Sequence, residues 1–207
     1  MKRFLQQQVF SPLVDFSYIV MSFLFSRGFP RWYERLNTWH YRRQAQHYDQ
    51  GVIELEGERY AQALEAGLKA LSVQPTRILD VNTGTGFVAQ RVHELFPDAQ
   101  IVATDLSEAM LAQARARCPQ IEFLQADTAR LPFADGSFDL VTLHNGPPHL
   151  GEMARVLRPG GQMLLAFTSG ARVPHVVLRR WLAVAQRFGR VERGRAGDGL
   201  WVIVTKS

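Results

Sequence analysis

The 207-residue chain has a single cysteine, Cys118, and only three lysines among its twenty-four cationic side chains. One thiol excludes a disulfide framework and any cysteine-built zinc site, and it fits a reducing, cytoplasmic setting. The scarcity of lysine leaves twenty-one arginines. Arginine favours phosphate contacts, although a G+C-rich coding sequence enriches it equally well. Long apolar runs are missing too. The most apolar stretch, 16–25, is about half the roughly 20 residues that a spanning helix needs. Gln6, Gln7, Gln8 and Asp15 interrupt the N-terminal apolar segment and no small-residue cleavage site follows, which argues against a secretory leader. There is no internal repeat and no low-complexity tract.

What is present is ordinary for a globular protein: 46% apolar and 21% charged residues. The length suits one domain, 51–207, preceded by a hydrophobic and basic helical extension, 1–50. The charge of +5 is unevenly spread. Residues 1–50 hold seven basic and three acidic side chains, 51–150 seven and thirteen, and 151–207 ten and three. In the extension, 9–25 reads as a helix broken by Gly28 and Pro30, and 31–48 as a second, aromatic and basic one with Trp32, Leu36, Trp39 and Arg43 at helical spacing. Apolar residues followed by Arg27, Arg31, Trp32, Tyr33 and Arg35 give 9–35 the character of a helix in a membrane interface.

A helix is predicted over 54–71, stopped by Pro75. Strands and helices then alternate. Strands are expected at 77–81, 100–105, 121–126, 138–143, 162–167, 190–194 and 200–205, with helices near 85–96, 107–116, 151–157 and 172–187. This is the rhythm of a doubly wound parallel α/β sheet. The connection 195–199 is too short for a crossover, so the last two strands must pair antiparallel or join different neighbours.

Chemistry-bearing residues recur at the expected carboxyl ends of successive strands. Asp80 and Thr83-Gly84-Thr85-Gly86 follow the first, Asp105 the second, Asp127 the third, and His144-Asn145-Gly-Pro-Pro-His149 the fourth. Gly84 and Gly86 permit positive φ and close approach of a ligand to the backbone, at the start of a helix with free N–H groups. A carboxylate about 20 residues beyond such a turn is placed to accept from ribose hydroxyls. An Asp at a strand end is often only a turn or cap residue, but three aligned ones are hard to credit to chance. Gly84-x-Gly86-x-x-Ala89 also satisfies a loose dinucleotide fingerprint. Asp80, however, suits a ligand with a cationic amine better than a nicotinamide cofactor.

Four stretches resemble the class I S-adenosylmethionine-dependent methyltransferases, particularly the branch with quinone-biosynthesis C-methyltransferases and many small-molecule and lipid enzymes. They are Ile78-Leu-Asp-Val-Asn-Thr-Gly-Thr-Gly86, Ala103-Thr-Asp-Leu-Ser-Glu-Ala-Met-Leu111, Asp127-Thr-Ala-Arg-Leu-Pro-Phe-Ala-Asp-Gly-Ser-Phe-Asp-Leu-Val141 and Glu152-Met-Ala-Arg-Val-Leu-Arg-Pro-Gly-Gly161. The resemblance implies a Rossmann-like seven-stranded sheet of order 3-2-1-4-5-7-6 with its last strand antiparallel. It implies that Asp80, Asn82, Thr83, Gly84, Thr85 and Gly86 hold the methionine part of S-adenosyl-L-methionine. Asp105 would take the ribose, Leu106 would lie against the adenine, and Asp127 with Thr128 would read the adenine edge. His144 and Asn145 would line the methyl-transfer side, and Tyr48, in Gln46-His-Tyr-Asp49, would close over the cofactor.

Two departures stand out. Asn82 occupies a position where the family usually has glycine, though Asn tolerates left-handed backbone better than most residues. The loop 146–151 is also shorter than is common there and carries two prolines. Methyl transfer is an in-line displacement dominated by positioning, with a general base needed only if the acceptor loses a proton. His144 and His149 are the candidate bases and Tyr48 an orienting group; no metal ligand set is assigned. The expected acceptor is a small, hydrophobic, lipid- or quinone-like molecule. The expected location is the cytoplasm, with peripheral contact at the inner membrane face through 9–35. The competing readings are a non-catalytic S-adenosylmethionine-binding module, a nucleic-acid methyltransferase, disfavoured because Gly146 breaks the Asn-Pro-Pro spacing, and a nicotinamide-dependent dehydrogenase.

Overall fold

The computed structural model describes Asp49 and residues 57–207. The helices expected at 9–25 and 31–48, and Tyr48, lie outside the described residues. The described chain runs α1 (Glu58–Lys69), β1 (Arg77–Val81), α2 (Phe87–Leu95), β2 (Gln100–Asp105), α3 (Glu108–Arg117), β3 (Glu122–Gln125), β4 (Phe138–His144), α4 (Leu150–Val156) and β5 (Leu157–Phe167). A 3-10 turn (Gly170–Arg172), α5 (His175–Ala185), β6 (Gly189–Ala196) and β7 (Gly199–Lys206) complete it. The seven strands form one sheet of order β3-β2-β1-β4-β5-β7-β6. The first five are parallel, and β7 is antiparallel to both its neighbours. This is the Rossmann-like arrangement expected.

Alternation along the buried strands feeds two cores. Leu79, Val81, Val141 and Leu143 face the side covered by α4 and α5, where Leu150, Met153, Leu178 and Trp181 pack. Ile78, Ala103, Leu140 and Leu164 face α1, α2 and α3, meeting Leu64, Val88, Val92 and Leu111. Each such fully buried side chain contributes roughly 1.5–3 kcal/mol relative to exposure. By the same alternation Asp80, Thr142 and His144 fall on the face of α1 and α2. Near the opposite end of the sheet, Asp139 Oδ2 accepts from Thr76 N, Thr76 Oγ1 and Arg77 N, locking the entry to β1. Glu152 and Arg155 bind the 131–135 loop through Leu131 N, the carbonyls of Leu131 and Phe133, and Asp135. The Glu152-x-x-Arg155 pair is thus scaffolding for the fourth crossover.

Two of the boundaries that differ from the sequence reading have a local cause. β5 begins at Leu157, not at 162, because Leu157 pairs with Phe138 before an irregularity that makes Gln162 the partner of Leu140. The helix predicted at 172–187 is a 3-10 turn followed by a helix from His175. Pro174 lacks the N–H needed to continue a helical ladder and occupies the N-cap.

Candidate functional site

β1 delivers Asp80 and then reverses sharply. Asn82, Gly84 and Gly86 all have positive φ, at 55°, 56° and 82°. Gly86 caps α2, and a Cβ there would lie 3.0 Å from that of Ala114, so glycine is required by both conformation and packing. Gly84, by contrast, faces open space. Its N–H donates to Asp105 Oδ2 at 2.9 Å, while Asp105 Oδ1 accepts from Ser107 N at 2.8 Å. The end of β2 therefore clamps the turn after β1 to the start of α3. Burial pushes the Asp105 carboxyl up, against the lowering effect of those N–H donors.

Asp80 is fully buried beneath this turn. Thr142 Oγ1 donates to its Oδ1 at 2.7 Å, and Oδ2 has no hydrogen-bond partner. Burial drives its pKa up to about 7, despite the hydroxyls of Thr83 and Thr142, with the charge of Asp105 adding a smaller upward push. The side chains of Thr83 and Thr85 turn inward. Thr85 Oγ1 donates at 2.6 Å to Asp49, whose other oxygen is ion-paired with Arg117 of α3. Asp49 thus ties the segment before the domain to the glycine turn. Its place beside Tyr48 in the Tyr-Asp pair was the available signal, although the sequence gives no hint that Arg117 is the partner.

Asn82 adopts the left-handed backbone expected of it. Its Oδ1 accepts from Thr128 Oγ1 at 2.7 Å. Its Nδ2 lies where a Cβ on Gly146 would approach to 2.7 Å. The extra side chain at the family's glycine position is accommodated because the neighbouring loop supplies a glycine of its own. Thr128 is consequently buried and its hydroxyl is engaged with Asn82. Asp127, exposed, accepts from Ala129 N through Oδ1 at 2.8 Å and keeps Oδ2 for other partners. Leu106, 41% exposed, follows Asp105. Gly84 main chain, the remaining lone pairs of Asp105, the apolar face of Leu106 and the carboxylate of Asp127 suit the ribose and adenine of a nucleoside. The unpartnered oxygen of Asp80 beneath the turn suits a cationic amine.

At the end of β4, His144 is buried and its pKa falls to about 3 because burial disfavours the imidazolium. The ring meets Tyr60 edge-on at 4.7 Å, and Nε2 lies 3.3 Å from Thr168 Oγ1; Nδ1 has no hydrogen-bond partner. This environment keeps the imidazole neutral, with Nδ1 unengaged. Asn145, at φ 52°, exchanges two hydrogen bonds with Thr168, fixing the chain as it leaves the sheet. His149 is half-buried at the N-cap of α4, where its carbonyl accepts from Met153 N. Tyr60, Thr142 and Thr168 border the site without any sequence motif that marks them. Tyr60 lies in α1, Thr142 in β4 and Thr168 just after β5, and helix packing and strand pairing bring them to His144 and Asp80.

The family described as "Methyltransferase domain" matches residues 78–161, the span from β1 into β5 that carries this arrangement. Residues 78–161 are a methyltransferase domain, similar to those of the class I S-adenosylmethionine-dependent methyltransferases. The chain is 44% identical over 107 residues to the demethylmenaquinone methyltransferase of Thermus thermophilus, covering 46% of this chain and 49% of that one. It is 34% identical over 151 residues to the trans-aconitate 2-methyltransferase of Acidovorax ebreus, covering 69% and 57% respectively. The chain therefore spans about half the length of the curated relatives it matches. The fold resembles that of a TehB-like S-adenosylmethionine-dependent methyltransferase from Corynebacterium glutamicum, with a TM-score of 0.61, 20% identity and coverage of 81% and 98%. S-adenosylmethionine is the methyl donor of the family, and the strand-end residues above fit it.

Proposed function

We propose that the protein transfers a methyl group from S-adenosylmethionine to a small, hydrophobic acceptor of lipid or quinone type. The observation that carries the donor half is the clamp between Gly84 and Asp105, with Leu106 and Asp127 open beside it. When bound, the donor supplies an electrophilic methyl on a sulfonium. The chain's own part is positioning. Gly84 and Asp105 hold the sugar end, Asp80 meets the amine, and His144 with Asn145 forms the wall on the acceptor side. A neutral imidazole there orients an acceptor without a competing positive charge beside the sulfonium. The hydrophobic acceptor is supported by the apolar 16–25 stretch, the basic aromatic residues after it, and relatives named for quinone substrates. Peripheral contact with the inner membrane face through 9–35 belongs to the same proposal. Among the described residues no helix is long and apolar enough to cross a membrane.

The test has two arms. Calorimetry with S-adenosylmethionine should show binding that Asp105→Ala abolishes or greatly weakens; no binding, or a variant like wild type, overturns the reading. Incubation with methyl-labelled donor and a cell lipid extract should then label a lipid fraction. Binding without label in any extract would instead point to a non-catalytic binding module.

A further inference from the structure

Helix α5 and the edge strand β6 carry an excess of positive charge that the site does not use. Between Glu152 and Glu192 the chain has no acidic residue. In that interval α5 buries Leu178, Trp181 and Ala185 against the sheet. On its opposite side Val176, Arg180, Ala183 and Arg187 recur at intervals of four, three and four residues and form one exposed stripe, with Arg179 beside it. On β6, Val191 packs into the core that α5 covers, so by alternation Arg193 and Arg195 point to the same side of the sheet as the helix. The acid of this strand, Glu192, lies on the other side, paired with Arg190.

The arginines of this face differ from most others in the chain. Arg91, Arg115, Arg155 and Arg158 each have a carboxylate partner. Arg179, Arg180, Arg187, Arg193 and Arg195 are all exposed and have no ion pair among the described residues. On β6 alone, exposed charge would serve to keep an open sheet edge from pairing with another strand. α5 has no such edge, and a merely solvated helix is better served by acids three or four residues from its arginines. The charges spread over a helix and a strand instead of converging on a point, which suits an extended anionic surface. Val176, 61% exposed, stands within the face as an apolar side chain that a bilayer interface accepts. No Phe, Tyr or Trp is exposed among the described residues, so the face offers no stacking platform for nucleobases.

We propose that α5 and β6 form a docking face for an anionic lipid bilayer, with the five arginines at the headgroups and Val176 at the acyl boundary. The face goes beyond the reading of the site, since it needs neither donor nor acceptor. It is also separate from the contact through 9–35.

The experiment uses the full chain and vesicles of phosphatidylcholine with phosphatidylglycerol. Val176→Cys carries an environment-sensitive fluorophore; Cys118, the single native cysteine, is buried. The vesicles should shift the emission of this label to the blue. A label at Ala112→Cys, exposed on α3 across the sheet, should not respond. Replacing Arg179, Arg180 and Arg187 together by Gln should lower partitioning about a hundredfold, as three arginines near the surface require, and replacing them by Lys should keep most of it. Equal weakening by Lys69→Gln, Arg91→Gln and Arg115→Gln combined, on α1, α2 and α3, reduces the effect to net charge and overturns the face. Absence of partitioning by the full chain also overturns it, as does a label at 176 that stays silent while the protein binds, the sign of attachment through 9–35 alone. Oligonucleotide binding that the Gln variant loses while its vesicle partitioning is unchanged assigns the face to nucleic acid and overturns the bilayer.

Discussion

A carboxyl group sealed beneath a turn, as Asp80 is, folds more readily protonated than charged. Its pKa rises from 3.8 to about 7, so the folded state binds a proton that the unfolded chain has released between those values. Stability from this group is fully present below about pH 4 and is lost as pH rises through about 7. Thermal melts of the donor-free protein should therefore show a decline over that window that Asp80→Asn lacks, approaching about 1.4 kcal/mol per pH unit at its steepest. Parallel pH profiles for the two proteins would contradict the buried-charge account. In the proposed donor site Asp105 makes the complementary case, since its lone pairs hold the turn and would also meet the ligand. Asp105→Ala should lower donor affinity about a hundredfold, equivalent to losing one or two charge-assisted hydrogen bonds, and Asp105→Asn, which keeps one acceptor oxygen, should lose less. Calorimetry of the three proteins checks this ordering.

Among elements, the turn after β1 and the loop after β4 are coupled through Asn82 and Gly146. A Cβ on Gly146 meets Asn82 Nδ2 at 2.7 Å, so Gly146→Ala should cost about 1–3 kcal/mol of stability. In an Asn82→Gly background the obstructing side chain is gone and the penalty should shrink toward zero. Denaturant titration of the two single variants and the double variant measures this; additive losses would show that the residues are independent. Asn82→Gly alone should be close to neutral. It gives up the Thr128 hydrogen bond, worth about 1 kcal/mol, and relieves a comparable cost of holding a non-glycine residue at positive φ. This coupling also marks how far the sequence could be read. Asp80, the glycine pair and Asp105 were legible because strand, turn and helix are local patterns with a fixed spacing. Asn82 was legible as an oddity, but its remedy lies sixty-four residues away in Gly146. Likewise the sheet order followed from the short 195–199 connection and the family resemblance. The start of β5 did not, because it depends on which residue of β4 Leu157 happens to pair with.

For the whole molecule, charge and apolarity separate along the chain in a way that bears on where its acceptor is met. Residues 51–150, which supply the donor-binding strand ends, hold seven basic and thirteen acidic side chains, whereas 1–50 hold seven and three and 151–207 ten and three. In the proposed membrane contact, each arginine that comes near an anionic surface contributes about 1 kcal/mol. Charge alone gives reversible attraction that salt screens within about 10 Å at 0.1 M; the apolar 16–25 stretch adds an area-dependent contribution that salt does not weaken. The two contributions can be separated. The full chain should float with vesicles containing phosphatidylglycerol and largely ignore neutral ones, and raising salt should weaken the binding without eliminating it. A variant lacking residues 1–28 should bind the same vesicles more weakly and be released completely by salt. It should retain S-adenosylmethionine affinity, since Tyr48, Asp49 and the strand-end residues proposed to meet the donor all lie beyond residue 28, while losing turnover on a lipid acceptor. Indifference of the full chain to anionic vesicles, together with undiminished turnover by the truncated protein, would remove the membrane from the account and leave a methyltransferase that meets its acceptor in solution.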